Sequence, residues 1–186
     1  RDGFSSLYYD IIEHTSMDTG LIMQLVTTLI GLMAALFGIA GVTPAPTETT
    51  TTAIVVSVID GDTIVVNIDG RQETVRYIGI DTPEPRREGT PECGSHEATA
   101  FNRELVAGQT VRLVADTEDP DHSDRLLRYV YVGEGTAEVF VNEAIITAGL
   151  AVPLTIKPNN TRARTFNEAA RVAEADDIGN WALCGE

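Results

Sequence analysis

The chain has 186 residues, 28 Asp or Glu against 13 Lys or Arg, a formal net charge of −15 and 43% apolar residues. This composition excludes a wholly disordered chain, two Cys exclude a miniprotein built on dense disulfides, and the charge argues against a duplex-binding module with a basic face. Twelve of the thirteen basic residues are Arg, with Lys157 the sole Lys, a balance expected of a protein soluble at very high salt.

Residues 1–20 read as a mixed, mildly acidic extension, with Met17 a candidate initiator. Residues 21–43 hold no charge over 23 positions, long enough as a helix to span a hydrocarbon core of about 30 Å. Two readings of this segment stay open. Gly38-Ile39-Ala40 resembles a signal-peptide cleavage site, whereas small residues four apart (Gly31 and Ala35, Ala34 and Gly38) suit a retained anchor. Residues 44–52, rich in Thr and Pro, read as an extended linker.

The globular domain is expected over 53–186. Short apolar runs at Ile54 to Ile59, Thr63 to Ile68 and Glu73 to Ile80 predict a three-stranded meander. Its turns fall at Asp60-Gly61-Asp62 and at Asp69-Gly70, the second a two-residue hairpin signal. Ser95 is placed to cap a helix with apolar positions Ala98, Phe101 and Leu105, ended by Gly108. Strands follow at Thr110 to Ala115 and Leu126 to Val132, then a short helix from Val141 to Ala148 closed by Gly149. A last helix begins near Asn160 or Thr161, buries Phe166, Ala169, Ala170 and Ala173, and stops before Gly179. Five strands with a helix after the third is the order of an OB-fold, so the predicted class is α+β: a five-stranded barrel with three helices, preceded by one N-terminal hydrophobic helix.

Asp62, Asp81 and Glu84 fall near strand ends, Asp62 past the first turn and the other two after the third strand, and come together if those strands pair. Clustered carboxylates suit a hard cation, and no His or Cys cluster points to zinc. Arg76 lies within a strand on the side of Ile78 and Ile80, where a charge needs a carboxylate or a bound anion as partner. Arg125 opens the fifth strand. Two guanidinium forks beside cation-binding carboxylates form a phosphate clamp, with a further carboxylate free to activate water.

The runs Val58-Ile59-Asp60-Gly61-Asp62-Thr63, Val75-Arg76-Tyr77-Ile78-Gly79-Ile80-Asp81-Thr82-Pro83-Glu84, Arg125-Leu126-Leu127-Arg128-Tyr129-Val130-Tyr131, Val141-Asn142-Glu143-Ala144 and Lys157-Pro158-Asn159-Asn160 occur in one order. Together they resemble the staphylococcal (micrococcal) nuclease, or thermonuclease, family over residues 54 to 183. The resemblance implies a monomeric OB-fold enzyme that hydrolyses DNA and RNA with Ca²⁺ and leaves 3′-phosphate ends. Asp62, Asp81 and the Thr82 carbonyl would bind the metal, Glu84 would be the general base, and Arg76 and Arg125 would grip the scissile phosphate. Arg86, Arg87 and Lys157 are further candidates for substrate contact.

Departures from the family pattern are also expectations to test. Leu154 and Ile156 stand where the family often has tyrosines that pack on the nucleotide, and Ser123-Asp124 stand where it often has Tyr-Gly. In an exported chain Cys93 and Cys184 would pair, as secreted members of the family suggest; free thiols are the alternative. Asn159-Asn160-Thr161 matches a glycosylation sequon, but reads first as the structural Asn pair before the last helix. His14, His96 and His122 share no ligand spacing, and Trp181 is expected to pack the end of the last helix onto the barrel. The expected site of action is extracellular, or the outer face of a membrane if residues 21–43 are kept. The competing reading is a catalytically silent OB-fold domain that binds a nucleic acid or a protein.

Overall fold

The computed structural model of the chain describes residues 49–86 and 89–185. The extension 1–20, the hydrophobic segment 21–43, most of the 44–52 linker and Arg87 lie outside the described residues. Eight strands run in the order β1 (Thr50–Val58), β2 (Thr63–Ile68), β3 (Arg71–Tyr77), β4 (Gly79–Asp81), β5 (Thr110–Val114), β6 (Leu126–Val132), β7 (Val139–Phe140) and β8 (Val152–Leu154). Four α-helices are interspersed: α1 (Ser95–Val106), α2 (Val141–Thr147), α3 (Ala163–Ala175) and α4 (Asn180–Cys184).

The main sheet is ordered β3-β2-β1-β5-β6-β7, and β3 also pairs with β6. That parallel pairing, Val75 with Leu126 through Tyr77 with Arg128, closes the five strands β1, β2, β3, β5 and β6 into a barrel and removes their free edges. The expected OB-fold of α+β class is therefore observed. Alternation drives it: Ala53 and Val55 of β1 are buried while Ile54 and Val56 face out, and Ile64, Val66, Val75, Tyr77, Leu113 and Val130 fill the interior. The β2–β3 hairpin has the predicted two-residue turn, with Asp69 and Gly70 both at positive φ (51° and 87°) and Ile68 paired to Arg71, as a type I′ turn requires.

Three expectations change. Strand β1 begins at Thr50, so Thr50 to Thr52 are paired with β5 and belong to the barrel, not to the linker; in sequence, a Thr run beside Pro-rich residues hides a good β former. The third strand does not continue to Ile80. It breaks at Ile78 because Gly79 turns the chain with φ of 82°, and a side chain there would collide with the Phe166 ring. The piece beyond the break is β4, which pairs with β8, Asp81 opposite Val152. Finally, the described residues hold a fourth α-helix where three were expected after residue 53: α3 stops at Ala175, and the five-residue α4 follows, with none of its residues buried.

Helix α1 also presents a face shifted by one residue. Gly94, not Ser95, takes the cap position, and Ser95, Ala98, Thr99, Asn102 and Val106 are the buried positions, while Phe101 and Leu105 pack half-buried at the margin. Asn102 is inward because it is used: it accepts from the Tyr77 hydroxyl at 2.9 Å and donates to the Asp60 carbonyl at 2.9 Å. The helix α3 starts at Ala163, two or three residues later than expected, for a similar reason. Buried Asn159 bonds the backbone of Thr117 and Glu118, and Thr161 bonds Asp116. Asn159, 6% exposed, is thus a structural link between loops, which disfavours the sequon reading.

Candidate active site

The site forms where the β1–β2 turn meets the end of β4. The turn Asp60-Gly61-Asp62 is tight enough that a Cβ at Gly61 would strike Thr82, so glycine lets the turn lie against the residue after β4. Asp60 Oδ1 accepts from the Asp62 N–H at 3.1 Å. Asp62 is 1% exposed; its Oδ2 accepts from the Thr82 N–H at 2.9 Å and the Thr82 hydroxyl at 3.1 Å, and its Oδ1 accepts from the Thr63 hydroxyl.

Arg76, on β3 opposite Thr63, bridges the two expected metal carboxylates. Its Nη1 lies 2.8 Å from Asp62 Oδ2 and its Nη2 2.7 Å from Asp81 Oδ1. Nη1 also donates to the Tyr77 and Ile80 carbonyls. The charge predicted to need a partner thus has two, and one guanidinium brings Asp62 and Asp81 to the same place. Asp81 is half-exposed, so this side of the cluster opens to solvent.

Electrostatics at this point favours a cation. Burial pushes Asp62 up to about 7, Arg76 pulls it back down, Asp60 adds to the rise, and the Thr82 bonds lower it. Burial disfavours the charged form of this carboxylate, and a cation placed beside it would favour that form. Glu84 is likewise raised, first by burial and then by Asp60, with Arg76 opposing and Asp81 and Glu92 adding. Asp62 and Asp81 contact Arg76, Asp60 and Glu84 lie near enough to act on the cluster electrostatically, and every donor is a hard oxygen. That set fits a Ca²⁺-class ion. Among the described residues no three His, Cys, Asp or Glu side chains converge on one point, so carbonyl oxygens and water would complete the shell.

On the other side of Arg76 a cleft of about 260 Å³ is lined by Arg76, Arg125, Lys157, His122, Leu154 and Ile156 among others. The two predicted guanidiniums and Lys157 therefore share one recess. His122 lines it too, although its sequence context gave no sign of this. Leu154 and Ile156, 38% and 65% exposed, form an aliphatic wall where the resemblance suggested aromatic rings.

The partner of Arg125 is Asp121, not the adjacent Asp124. Asp121 Oδ2 accepts from Arg125 Nε at 2.8 Å and Nη2 at 2.7 Å, while Oδ1 caps the loop by accepting from the Ser123 and Arg125 N–H groups. Asp124 takes the left-handed conformation, φ 57°, which explains why glycine suits this position in the family pattern. Arg86 forms an exposed ion pair with Glu92 at 2.6 Å. Glu92 itself escaped the sequence reading. Its Oε2 accepts from the Glu84 N–H and its own N–H donates to the Glu84 carbonyl. Cys93 and Cys184 form the expected disulfide, and Trp181 on α4 lines a recess with Asp81, Thr82 and Pro83.

A closed five-stranded barrel with carboxylates and arginines at one rim is the architecture of an OB-fold phosphodiester site. Comparison with known proteins gives that class a family. Residues 74–183 match the family described as "Staphylococcal nuclease homologue". The chain is 36% identical over 129 residues to "Thermonuclease" of Staphylococcus hyicus, covering 69% of this chain and 74% of that one. "Thermonuclease" of Staphylococcus intermedius matches equally, 36% over 129 residues with the same coverage. "Endonuclease YncB" of Bacillus subtilis (strain 168) is 35% identical over 130 residues, 68% of this chain and 60% of that protein. The chain belongs to the staphylococcal nuclease homologue family.

Proposed function

We infer that the protein is a phosphodiester-hydrolysing nuclease, and we propose that it acts on DNA or RNA with Ca²⁺ and leaves 3′-phosphate ends. The observation that supports this most directly is the Arg76 bridge between Asp62 and Asp81 at the mouth of a cleft that also holds Arg125. A domain that only bound a partner would not need buried acidic surplus and two guanidiniums at one rim.

Asp62, Asp81 and the Thr82 carbonyl would hold the ion, which supplies positive charge against the phosphate when bound. Arg76 and Arg125 grip the phosphate oxygens and stabilise the charge that builds on them in the transition state. The Asp121 contacts use Arg125 Nε and Nη2, which leaves Nη1 for phosphate. Glu84, raised and close to solvent, takes the proton of the attacking water; the water oxygen bonds to phosphorus as the bond from phosphorus to the 5′ oxygen breaks, Arg125 steadies the departing 5′ oxygen until it takes a proton from solvent, and the phosphate stays on the 3′ side. The disulfide supports an oxidising location, extracellular or on the outer face of a membrane, where such bonds persist. A monomer suffices, because every proposed group comes from one chain.

Incubating the purified protein with single-stranded DNA and with RNA, in calcium and then in chelator, tests this reading. Calcium-dependent cleavage with 3′-phosphate products is the expected result. No cleavage at either low or molar salt would overturn it in favour of a silent binding domain.

A further inference from the structure

Glu84 is exposed, so where its carboxylate stands depends on how its backbone is held. That backbone is held from across its loop. The Glu84 N–H donates to Glu92 Oε2 at 3.0 Å, the Glu92 N–H donates to the Glu84 carbonyl at 3.1 Å, and Arg86 ties the same two residues together by donating its N–H to the Glu84 carbonyl and Nη2 to Glu92 Oε1. Glu92 is in turn next to Cys93, which is bonded to Cys184 of α4.

Helix α4 buries none of its five residues and so adds little to the core. It is nevertheless fixed at both ends. The Asn180 N–H donates to the Gly149 carbonyl at 2.9 Å, where the chain leaves α2 and enters buried Leu150 and Ala151. The Asn180 side chain packs against Gly94, and Cys184 closes the bridge. A continuous path thus runs from the barrel through α4 and Cys93 to Glu92 and Glu84.

We propose that Glu92 and the Cys93–Cys184 bridge form a clamp that positions Glu84 beside the Asp62–Arg76–Asp81 cluster, so that the bridge serves the reaction as well as stability. This rests on the reading of Glu84 as the proton acceptor. Glu92 is a positioning residue: it touches the backbone of the reacting group, not the substrate. Because both arms of the loop are mostly exposed, losing either tie frees Glu84 without emptying the core. The clamp also makes the enzyme sensitive to thiols, being intact only while the bridge is oxidised.

The test compares the full chain with its bridge intact, the chain reduced by a phosphine, and the variants Glu92→Ala and Glu92→Gln, all assayed on single-stranded DNA at saturating calcium and well below their melting temperatures. Displacement of a reacting group by about 1 Å lowers kcat on the order of 100-fold, so reduction and Glu92→Ala are each expected to lower kcat by about 10- to 100-fold while KM moves by less than about threefold. Glu92→Gln, whose amide oxygen can still accept from Glu84, is expected to recover most of kcat. Hydrogen exchange at the Glu84 amide supplies a readout apart from chemistry: it should accelerate on reduction and in Glu92→Ala and stay slow in Glu92→Gln. Wild-type kcat and slow exchange in the reduced chain and in Glu92→Ala would overturn the clamp, even if Glu84→Gln is inactive. Accelerated exchange together with full activity of Glu84→Gln would instead overturn the reading of Glu84, and with it the catalytic purpose of the clamp.

Discussion

Arg76 and Asp62 meet at 2.8 Å with only 13% and 1% of their side chains exposed, and the same guanidinium reaches Asp81 at 2.7 Å. The strand register brings the two residues near: Thr63 is paired with Arg76, and the Tyr77 N–H donates to the Asp62 carbonyl at 2.9 Å, which holds the end of the turn close to Arg76. One side chain therefore serves both as counter-ion to the two carboxylates proposed to bind the cation and as a wall of the adjacent cleft.

Removing that side chain should damage catalysis more than folding. Arg76→Ala is expected to lower kcat by about 100- to 1000-fold, the scale of a lost oxyanion donor, or about 3 to 4 kcal/mol. Arg76→Lys should rescue little, since one ammonium cannot replace a planar fork that spans two carboxylates and two carbonyls. Single-turnover cleavage with a parallel thermal melt measures both effects; wild-type kcat in Arg76→Lys would remove Arg76 from the mechanism.

Arg76 was legible in the sequence as a charge among apolar strand residues, which demands a partner, although the strand ends at Tyr77 and Arg76 alternates with buried Val75 and Tyr77 instead of sharing a strand face with Ile78 and Ile80. The barrel strands and Asp62, Asp81 and Arg125 were legible for the same kind of reason, since alternation and turn residues are local. Asp121, Glu92 and Asn102 were not. Each is an acceptor or donor whose partner is chosen by loop backbone or by a helix rotated one position, and in sequence each looks like an ordinary polar residue. The break at Ile78 was hidden too, because the side chain that excludes a Cβ at Gly79 is Phe166, 87 residues beyond that glycine.

Acid should unfold the protein partly through Asp116. Although burial raises it, this carboxyl is held below its ordinary value by the Tyr129 hydroxyl at 2.8 Å, the Thr161 N–H and hydroxyl at 3.1 and 2.8 Å, and the Thr117 hydroxyl at 3.2 Å. A carboxyl lowered in the folded state binds its proton more readily when unfolded. Its contribution is therefore complete above the unfolded value of about 4 and is lost as pH falls through the lower folded value. Asp116→Asn should cost about 1 to 3 kcal/mol at pH 7 and flatten the slope of stability between about pH 5 and pH 2, measured by urea unfolding. An unchanged slope would assign the acid response to other groups, such as Asp121.

The aliphatic wall of the cleft predicts weak hold on the nucleobase. Leu154 and Ile156 cannot stack as an aromatic ring does, and each base–aromatic stack contributes about 1 to 3 kcal/mol. Leu154→Tyr and Ile156→Tyr should therefore lower KM for single-stranded DNA by about 5- to 100-fold for each ring that engages, with kcat nearly constant. Steady-state kinetics on short oligonucleotides would show it. No change in KM in either variant would mean that the bases do not lie along β8.

Net charge sets the last expectation. Between Ala53 and Glu186 there are 23 acidic and 12 basic residues, a net of −11, so in dilute buffer the domain repels its polyanionic substrate. At about 1 M salt the Debye length is roughly 3 Å, which screens that repulsion and leaves only groups in contact. Salt also removes the counterion-release drive that favours most nucleic-acid binding, but a cleft with three cations, Arg76, Arg125 and Lys157, has little of that drive to lose. Repulsion is then the larger effect, and kcat/KM should hold or rise toward molar salt. A steep loss from low salt upward would mean that the three cleft cations outweigh the surrounding acids even in dilute buffer.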